Sequence, residues 1–254
     1  MPDEQRPRRR ASVRPNAVGA AVVALAADRS DRLGRPLEVL DLGGGTGGVA
    51  VALGEAGHRV TVVDPSPDAL AALTRRARES GIEGLVTGVQ GDGDSLAEVL
   101  DGRVVDLACC HGTLEFVDDP ETTLRAVAAA LAPGGVLSLL VSGRLAVVFA
   151  KALAGEFDQA RSALRHPSGR WGPTDPLPRR FDPDEVEALL ARTGFTVEQS
   201  RGIDVLRHLV PAPLVDSEGD RAAVAELDEL LVEVAGSELL RILGHGLHVV
   251  ARRD

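Results

Sequence analysis

The sequence predicts an α/β fold built on a doubly wound, mostly parallel β-sheet. Short apolar runs alternate with helical stripes along most of the chain. A glycine-dense turn joins the first run, Leu37–Leu42, to the helix after it, and the fourth run, Val104–Cys110, is apolar throughout. Strands that are buried on both faces, as in parallel sheets, have this continuous apolar character. The 254 residues are enough for one large domain that carries an insertion.

The glycine turn after the first strand indicates a ligand site. It contains one acid and five glycines, namely Asp41, Gly43, Gly44, Gly45, Gly47 and Gly48. Glycines allow positive φ and close approach of a ligand to the backbone, and the following helix directs free N–H groups at that ligand. Alternate glycines of this set fit the dinucleotide fingerprint G-x-G-x-x-G. With Asp41 they also fit an acidic-x-G-x-G-x-G pattern, which resembles class I S-adenosylmethionine (SAM) methyltransferases.

Asp41 favours the second interpretation because of its charge. A pyrophosphate would be repelled by this carboxylate, whereas SAM brings an ammonium and a sulfonium that it attracts. The second strand, Arg59–Val63, ends at Asp64, which lies 17 residues after Gly47. An acid in this window accepts the ribose hydroxyls of a nucleotide cofactor. Asp64 is therefore a predicted cofactor residue, with a structural acid at a strand end as the alternative.

The third and fourth strands are each followed by polar residues. After Leu85–Gln90 comes an acidic loop in which Asp94 can accept from an adenine amino group while Gly93 allows close approach. His111 comes directly after the fourth strand, at the sheet edge that faces the ligand crevice. It is a candidate cofactor contact and a candidate catalytic base. A hydrogen-bonded structural histidine is the alternative.

Residues 143–180 break the alternation of strands and helices after the fifth strand, Val136–Val141. An insertion at this position is where a substrate lid would lie. It contains the only Trp and several arginines, of which Arg179 and Arg180 are candidate clamps for a substrate anion. A solvated connector is the alternative. The predicted sixth strand is Phe195–Ser200, a helical stretch covers residues 216–240, and a final strand closes the chain.

The amino-terminal segment is predicted as a flexible basic tail over residues 1–12, followed by a single catalytic domain over residues 13–254. Arg14 begins the first helix of that domain and is a candidate contact for the carboxylate of the ligand. The basic tail has no apolar segment after it, so it does not resemble a secretory signal.

Composition excludes some classes of function. Aromatic residues are 2% of the chain and the net charge is −10, which argues against a stacking or nonspecific nucleic-acid binder.

Cys109 and Cys110 are adjacent, and no spacing suits a metal site, which indicates reduced core cysteines in a cytoplasmic protein without metal. No apolar run is long enough to span a membrane. Oligomeric state cannot be predicted from these features.

Several motifs along the chain belong to one pattern, namely Leu40-Asp-Leu-Gly-Gly-Gly-Thr-Gly, Ala56-Gly-His58, His111-x-x-Leu-Glu115-x-Val-x-Asp-Pro120, Pro133-Gly-Gly-Val-Leu-Ser138, Gly155-x-Phe157 and Leu247-His248-Val-x-Ala251-Arg. Together these motifs resemble the bacterial tRNA 5-carboxymethoxyuridine methyltransferase family and its actinobacterial relatives. The resemblance implies a Rossmann-like, seven-stranded sheet with an antiparallel final strand. It also implies SAM contacts at Arg14, Gly43, Gly44, Asp64, Gly93, Asp94 and His111.

The same resemblance implies methylation of a carboxylate on a modified wobble uridine of tRNA. The sequence departs from the family at Asp204, where relatives are expected to have an arginine that clamps the anionic substrate. We therefore keep two acceptors open, a tRNA carboxylate and a small metabolite methylated on oxygen or nitrogen. Two other functions also remain open at this point, an NAD-dependent oxidoreductase and a non-catalytic SAM-binding module. A carboxylate acceptor is already ionised and needs no base, whereas a hydroxyl acceptor would need one such as His111.

Overall fold

A computed structural model describes residues 17–210, 214–215, 217–234 and 237–254. Seven strands form one sheet in the order β3-β2-β1-β4-β5-β7-β6. Strands β1 to β5 are parallel, and β7 is antiparallel to both β5 and β6. The predicted α/β, Rossmann-like fold with an antiparallel final strand is confirmed. The strands are β1 Glu38–Leu42, β2 Arg59–Asp64, β3 Val86–Gln90, β4 Val105–His111, β5 Leu131–Ser142, β6 Phe195–Ile203 and β7 Gly246–Arg253.

Helices cover both faces of the sheet, as expected for a doubly wound fold. Helices α1 to α3 share one apolar cluster with the sheet, and α4, α5 and α8 share the other. The helices are α1 Ala17–Leu33, α2 Gly48–Glu55, α3 Pro67–Ser80, α4 Leu96–Leu100, α5 Pro120–Ala130, α6 Arg144–Leu153, α7 Phe157–Arg165, α8 Pro183–Arg192, α9 Val205–Leu209, α10 Glu218–Val234 and α11 Ser237–Leu243. Within these ranges, no helix combines the length and apolar character that a membrane crossing requires.

The central strands are buried because their side chains contact helices on both faces. Every residue of β4 from Val105 to Cys110 is buried, and the core on each side consists mainly of Ala, Val and Leu. Helix α3 begins as its sequence predicts, with the Ser66 hydroxyl accepting from the Ala69 N–H at 3.2 Å and a proline at the first position. Because strands β1 to β5 are parallel, the loops that follow them lie at the same edge of the sheet.

The structure differs from the predicted elements mainly on the antiparallel side. Strand β5 begins at Leu131 rather than Val136, and it includes a glycine with φ of 69° and a shift in register against β4. Strand β6 continues to Ile203, because β7 pairs with it along its full length. The short helices α4 and α9 were not predicted, and the predicted helical stretch over residues 216–240 is two helices.

The insertion after β5 consists of α6, α7 and a loop that returns to the sheet. An isolated bridge pairs Gly143 with Phe181 and thereby joins the two ends of the insertion. Within the insertion, the Lys151 ammonium lies 4.1 Å from the centroid of the Trp171 ring. Residues 143–180 thus contain two helices and a loop between β5 and α8. The role of this segment as a substrate lid stays a prediction.

Candidate cofactor-binding site

A cavity of about 520 Å³ lies at the carboxyl edge of the parallel strands. This volume is within the range of small-molecule sites. The loops after β1, β2, β3 and β4 all contribute to its wall. The residues that line it are Leu42, Gly43, Asp64, Pro65, Asp92, Gly93, Asp94, Gly112, Thr113, Phe116, Val117, Asp118, Asp119, Thr122 and Thr123.

The glycine turn contributes Gly43 to the cavity wall, whereas the predicted cofactor residues Gly44, Gly45 and Gly47 are not among the lining residues. Gly43, Gly45 and Gly47 have φ of 71°, 56° and 79°, a region that favours glycine. A Cβ atom at Gly43 would lie 2.1 Å from Thr113 Oγ1, and one at Gly47 would lie 2.2 Å from Leu73 Cδ1. The turn therefore needs glycine for its backbone conformation and for packing. It leaves the backbone at Gly43 open to a ligand in the cavity.

Asp41 is buried beneath this turn. A Cβ atom at Gly44 would lie 2.4 Å from Asp41 Oδ2, so the carboxylate packs directly against the glycine backbone. Burial, together with the nearby charge of Asp64, raises the pKa of Asp41 to about 7. Asp41 is absent from the cavity wall. The prediction that Asp41 is an acid at the rim is therefore wrong. Asp41 is a buried acid behind the turn.

Asp64 links the second strand to the glycine turn and also lines the cavity. Its Oδ2 accepts from the Gly45 N–H at 2.8 Å, and its Oδ1 accepts from the Ser66 N–H at 2.9 Å. Each carboxylate oxygen has two acceptor positions, so one position on each oxygen stays available for a hydroxyl. The two backbone bonds fix the orientation of the carboxylate before any ligand arrives.

The loop after β3 is shaped by its own acids. Asp92 Oδ1 accepts from the N–H groups of Asp94 at 3.1 Å and Ser95 at 3.2 Å, which closes a tight turn. Gly93 is buried, and a Cβ atom there would lie 2.9 Å from Thr123 Cγ2. Asp94 is exposed at the cavity wall, where the sequence places it.

The cavity wall is strongly acidic. Five carboxylates line it, and none of the lining residues that the structure describes is a lysine or an arginine. Such a concave, negatively charged site attracts a cation and repels a free phosphate. The acids are Asp64, Asp92, Asp94, Asp118 and Asp119. This charge pattern suits SAM, which carries a sulfonium and an ammonium.

His111 is held away from the cavity wall by a buried polar chain. Its Nε2 lies 2.9 Å from Ser138 Oγ, which in turn lies 2.9 Å from His248 Nε2. Burial lowers the pKa of His111 to about 4. A neutral imidazole with this pKa and an occupied Nε2 is a weak base at neutral pH. The geometry therefore favours the structural alternative for His111 over a role as catalytic base.

The structure does not bring Arg179 and Arg180 together as an anion clamp. Arg180 is buried and forms a two-point ion pair with Asp175, at 2.7 and 3.0 Å. Arg179 donates to three backbone carbonyls, those of Leu114, Val117 and Asp118. Both guanidinium groups are thus occupied by protein acceptors, so we do not assign substrate binding to them. Arg14 and the basic tail lie outside the described residues.

Other residues of the site were missed by the sequence analysis. Thr113 and Phe116 line the cavity, and Thr113 Oγ1 donates to the Leu42 carbonyl at 2.9 Å. Their position directly after β4 was the signal that they belong to the site. Ser138 and His248 were missed too, and their signal was a polar residue inside an otherwise apolar strand. No cluster of three metal-ligating side chains occurs among residues 17–210 and the described segments after them.

The fold and the site define a class of protein. A parallel sheet with a glycine turn after β1, an acid at the end of β2 and an acidic loop after β3 is the arrangement that holds a nucleoside cofactor. The glycines leave room for its approach, Asp64 has free acceptor positions for hydroxyls, and the wall is acidic. These features fit SAM, and the chain is a class I SAM-dependent methyltransferase.

Comparison with known proteins agrees with this class. The family described as "Methyltransferase domain" matches residues 11–200, and the chain belongs to this family. The tRNA 5-carboxymethoxyuridine methyltransferase of Escherichia coli K12 is 30% identical over 217 residues, covering 85% of this chain and 80% of the relative. The ubiquinone biosynthesis O-methyltransferase of Xanthomonas axonopodis pv. citri is 32% identical over 165 residues, covering 65% of each chain. The oxidoreductase and non-catalytic alternatives are thereby superseded.

Solved structures show the same fold. The magnesium protoporphyrin IX methyltransferase of Synechocystis PCC 6803, with bound SAH, superposes with a TM-score of 0.59 and 17% identity. The match covers 93% of this chain and 82% of that one. At this identity the likeness concerns the fold alone.

Proposed function

We propose that the chain transfers a methyl group from SAM to an oxygen atom that is already ionised when it binds. The first candidate acceptor is a carboxylate on a modified wobble uridine of tRNA. The observation that carries this proposal is the state of His111, whose Nε2 bonds to Ser138 and whose pKa is about 4. A site with so weak an imidazole base suits a nucleophile that needs no deprotonation.

The residues of the cavity have a positioning role in this proposal. SAM supplies the activated methyl group on its sulfonium. Asp64 and the backbone at Gly43 would hold the nucleoside part, and Asp94 would contact its base. Alignment of donor and acceptor, together with exclusion of water, then accounts for the rate. Asp41, whose pKa is about 7, would ionise behind the turn as the cationic cofactor binds.

Similarity supports the tRNA acceptor. The Escherichia coli relative is named as a tRNA 5-carboxymethoxyuridine methyltransferase, and this chain matches it over 80% of the relative's length. A second candidate, a small metabolite methylated on oxygen, is favoured by the acidic cavity wall and by the similarity to a ubiquinone biosynthesis O-methyltransferase.

The experiment compares two acceptors directly. Purified protein and SAM are incubated with total tRNA from a strain that lacks the chain, and in parallel with a protein-free metabolite extract of that strain. Methylated nucleosides are measured by mass spectrometry after digestion, and SAH formation is measured in both. A new methyl ester on a tRNA nucleoside supports the first candidate. SAH formed only with the metabolite extract rejects it in favour of the second.

A further inference from the structure

Three polar side chains cross the sheet from β4 through β5 to β7, and a cation on β6 extends this row. His111, Ser138 and His248 are joined by two hydrogen bonds of 2.9 Å, and the two rings have centroids 6.1 Å apart. His111 and His248 are both paired in register with Leu140 of β5, and Arg201 is paired with His248. Paired residues on adjacent strands have their side chains on the same face of a sheet.

Arg201 is the charged member of this row. It is half-buried, and among the described residues it has no hydrogen-bond acceptor and no carboxylate partner. Its charge reaches His248, where it contributes to the lowered pKa of that ring. A half-buried guanidinium that no protein acceptor occupies is available to an anionic ligand.

The two imidazoles do not compete with Arg201 for an anion. Burial lowers the pKa of His111 to about 4 and of His248 to about 3, so both rings are neutral at physiological pH. The single hydroxyl of Ser138 can donate to only one ring and accept from the other. The chain of hydrogen bonds is therefore satisfied internally, and Arg201 is the fixed positive charge of the row.

The row lies at the edge of the sheet where the cofactor cavity opens. Gly112 and Thr113, which line that cavity, directly follow His111. Arg201 is close to the end of β6, and β6 is three strands from β4, a distance of about 14 Å at the usual strand spacing. An acceptor that spans this distance has its reacting oxygen beside the cofactor and another group over β6.

We propose that Arg201 is the anion-binding residue of the acceptor site, and that it takes a carboxylate or phosphate group separate from the methylated oxygen. The proposal rests on the methyltransferase function proposed above. Guanidinium binds such oxygens with two parallel hydrogen bonds. A nucleotide, with a phosphate at one end and a base at the other, has the required shape.

The kinetic test compares three variants. Arg201→Gln removes the charge, Arg201→Lys keeps the charge without the planar fork, and Arg252→Gln removes a surface arginine of β7 that pairs with Glu198. With the acceptor identified above, we expect Arg201→Gln to raise KM by about tenfold or more while the Kd of SAM stays constant. Arg201→Lys should recover part of this loss and Arg252→Gln should show none. An unchanged KM in Arg201→Gln overturns the proposal.

A binding test keeps this proposal separate from the proposed reaction. The protein loaded with SAH is titrated with acetate and with inorganic phosphate while the Nε–Hε signals of its arginines are followed by NMR. We expect one signal, absent in Arg201→Gln, to shift on titration, and the anion with the larger shift identifies the group. If this signal shifts although no tRNA or metabolite is methylated, the anion site stands and the proposed reaction fails. No shift with either anion overturns the site.

Discussion

The Asp64 carboxylate at the end of β2 accepts the backbone N–H of Gly45 at 2.8 Å, which joins the second strand to the glycine turn after the first. Replacing Asp64 with Ala should remove both this bond and the acceptors for ribose hydroxyls. We expect the Kd of SAM to rise by about 100-fold or more, since the affected hydrogen bonds involve a charged group. Isothermal titration calorimetry measures this. Asp68→Ala, an exposed acid on the helix that follows, is the control, and equal affinity of the two variants would contradict the cofactor assignment.

Gly43→Ala tests the wall formed by the glycine turn. The new Cβ would clash with Thr113 Oγ1, in addition to a conformational cost of about 1 kcal/mol for positive φ. Gly57→Ala is the matched control because Gly57 has φ of 91° and no atom within 4 Å of the added Cβ. We expect weaker SAM binding in Gly43→Ala alone, measured by calorimetry, and partial recovery in the double variant Gly43→Ala/Thr113→Ala, which removes the clashing oxygen. Equal SAM affinity in the two alanine variants would argue against a ligand at this turn.

SAM affinity should depend on pH through Asp41, whose folded pKa is about 7. A bound cation lowers this pKa, so binding releases a proton when the pH is below about 7. We therefore expect SAM affinity to increase from pH 6 to pH 8 and then to level off. SAH lacks the sulfonium charge, so its affinity should change less. Calorimetry in buffers of different ionisation enthalpy counts the protons, and Asp41→Asn should abolish their release.

The Arg180–Asp175 pair should stabilise the insertion and leave the cofactor site unaffected. Both side chains are almost fully buried, and breaking a buried pair by removing one partner costs about 3–5 kcal/mol. We expect Asp175→Asn to lower the free energy of unfolding by about this amount in urea titrations. Removing the exposed Arg161–Asp158 pair by Asp158→Asn should cost less than about 1 kcal/mol. Similar losses in the two variants would contradict the burial of Arg180.

The two buried histidines predict a loss of stability in acid. Their folded pKa values, about 4 and about 3, lie below the usual 6.5, so the unfolded chain binds protons first as the pH falls. The free energy of unfolding should therefore decrease between about pH 6.5 and pH 4. Asp41 acts in the opposite direction over this window, so the comparison must be between variants. His248→Gln should reduce the slope, and His166→Gln, at an exposed position, should not.

The fold class, and the residues that lie at the carboxyl ends of the parallel strands, were predictable from local signals. The glycine turn at Gly43 and the acid at Asp64 each follow an apolar strand, and parallel strands bring such ends together. Strand β5 was predicted too short because Pro133-Gly-Gly indicates a break, whereas Leu131 already pairs with Val105 of β4 before that break. Tertiary pairing overrides local propensity there.

The partners of charged residues could not be predicted. Arg180 and Arg201 carry the same charge, yet one pairs with Asp175 and the other has no described partner. The difference depends on which loop folds back to which side chain, and spacing in the sequence does not encode it. The role of His111 was left open for the same reason, since Ser138 and His248 are distant in sequence.

Trp171 is the only tryptophan of the chain, and the chain has no tyrosine. The ring of Trp171 lies against Lys151 within the insertion. Emission excited at 295 nm, a wavelength selective for indole, therefore comes from this one segment, and no mutation or dye is needed to isolate it. Stopped-flow fluorescence can time any movement of the α6–α7 segment during a catalytic cycle, with the rest of the enzyme optically silent.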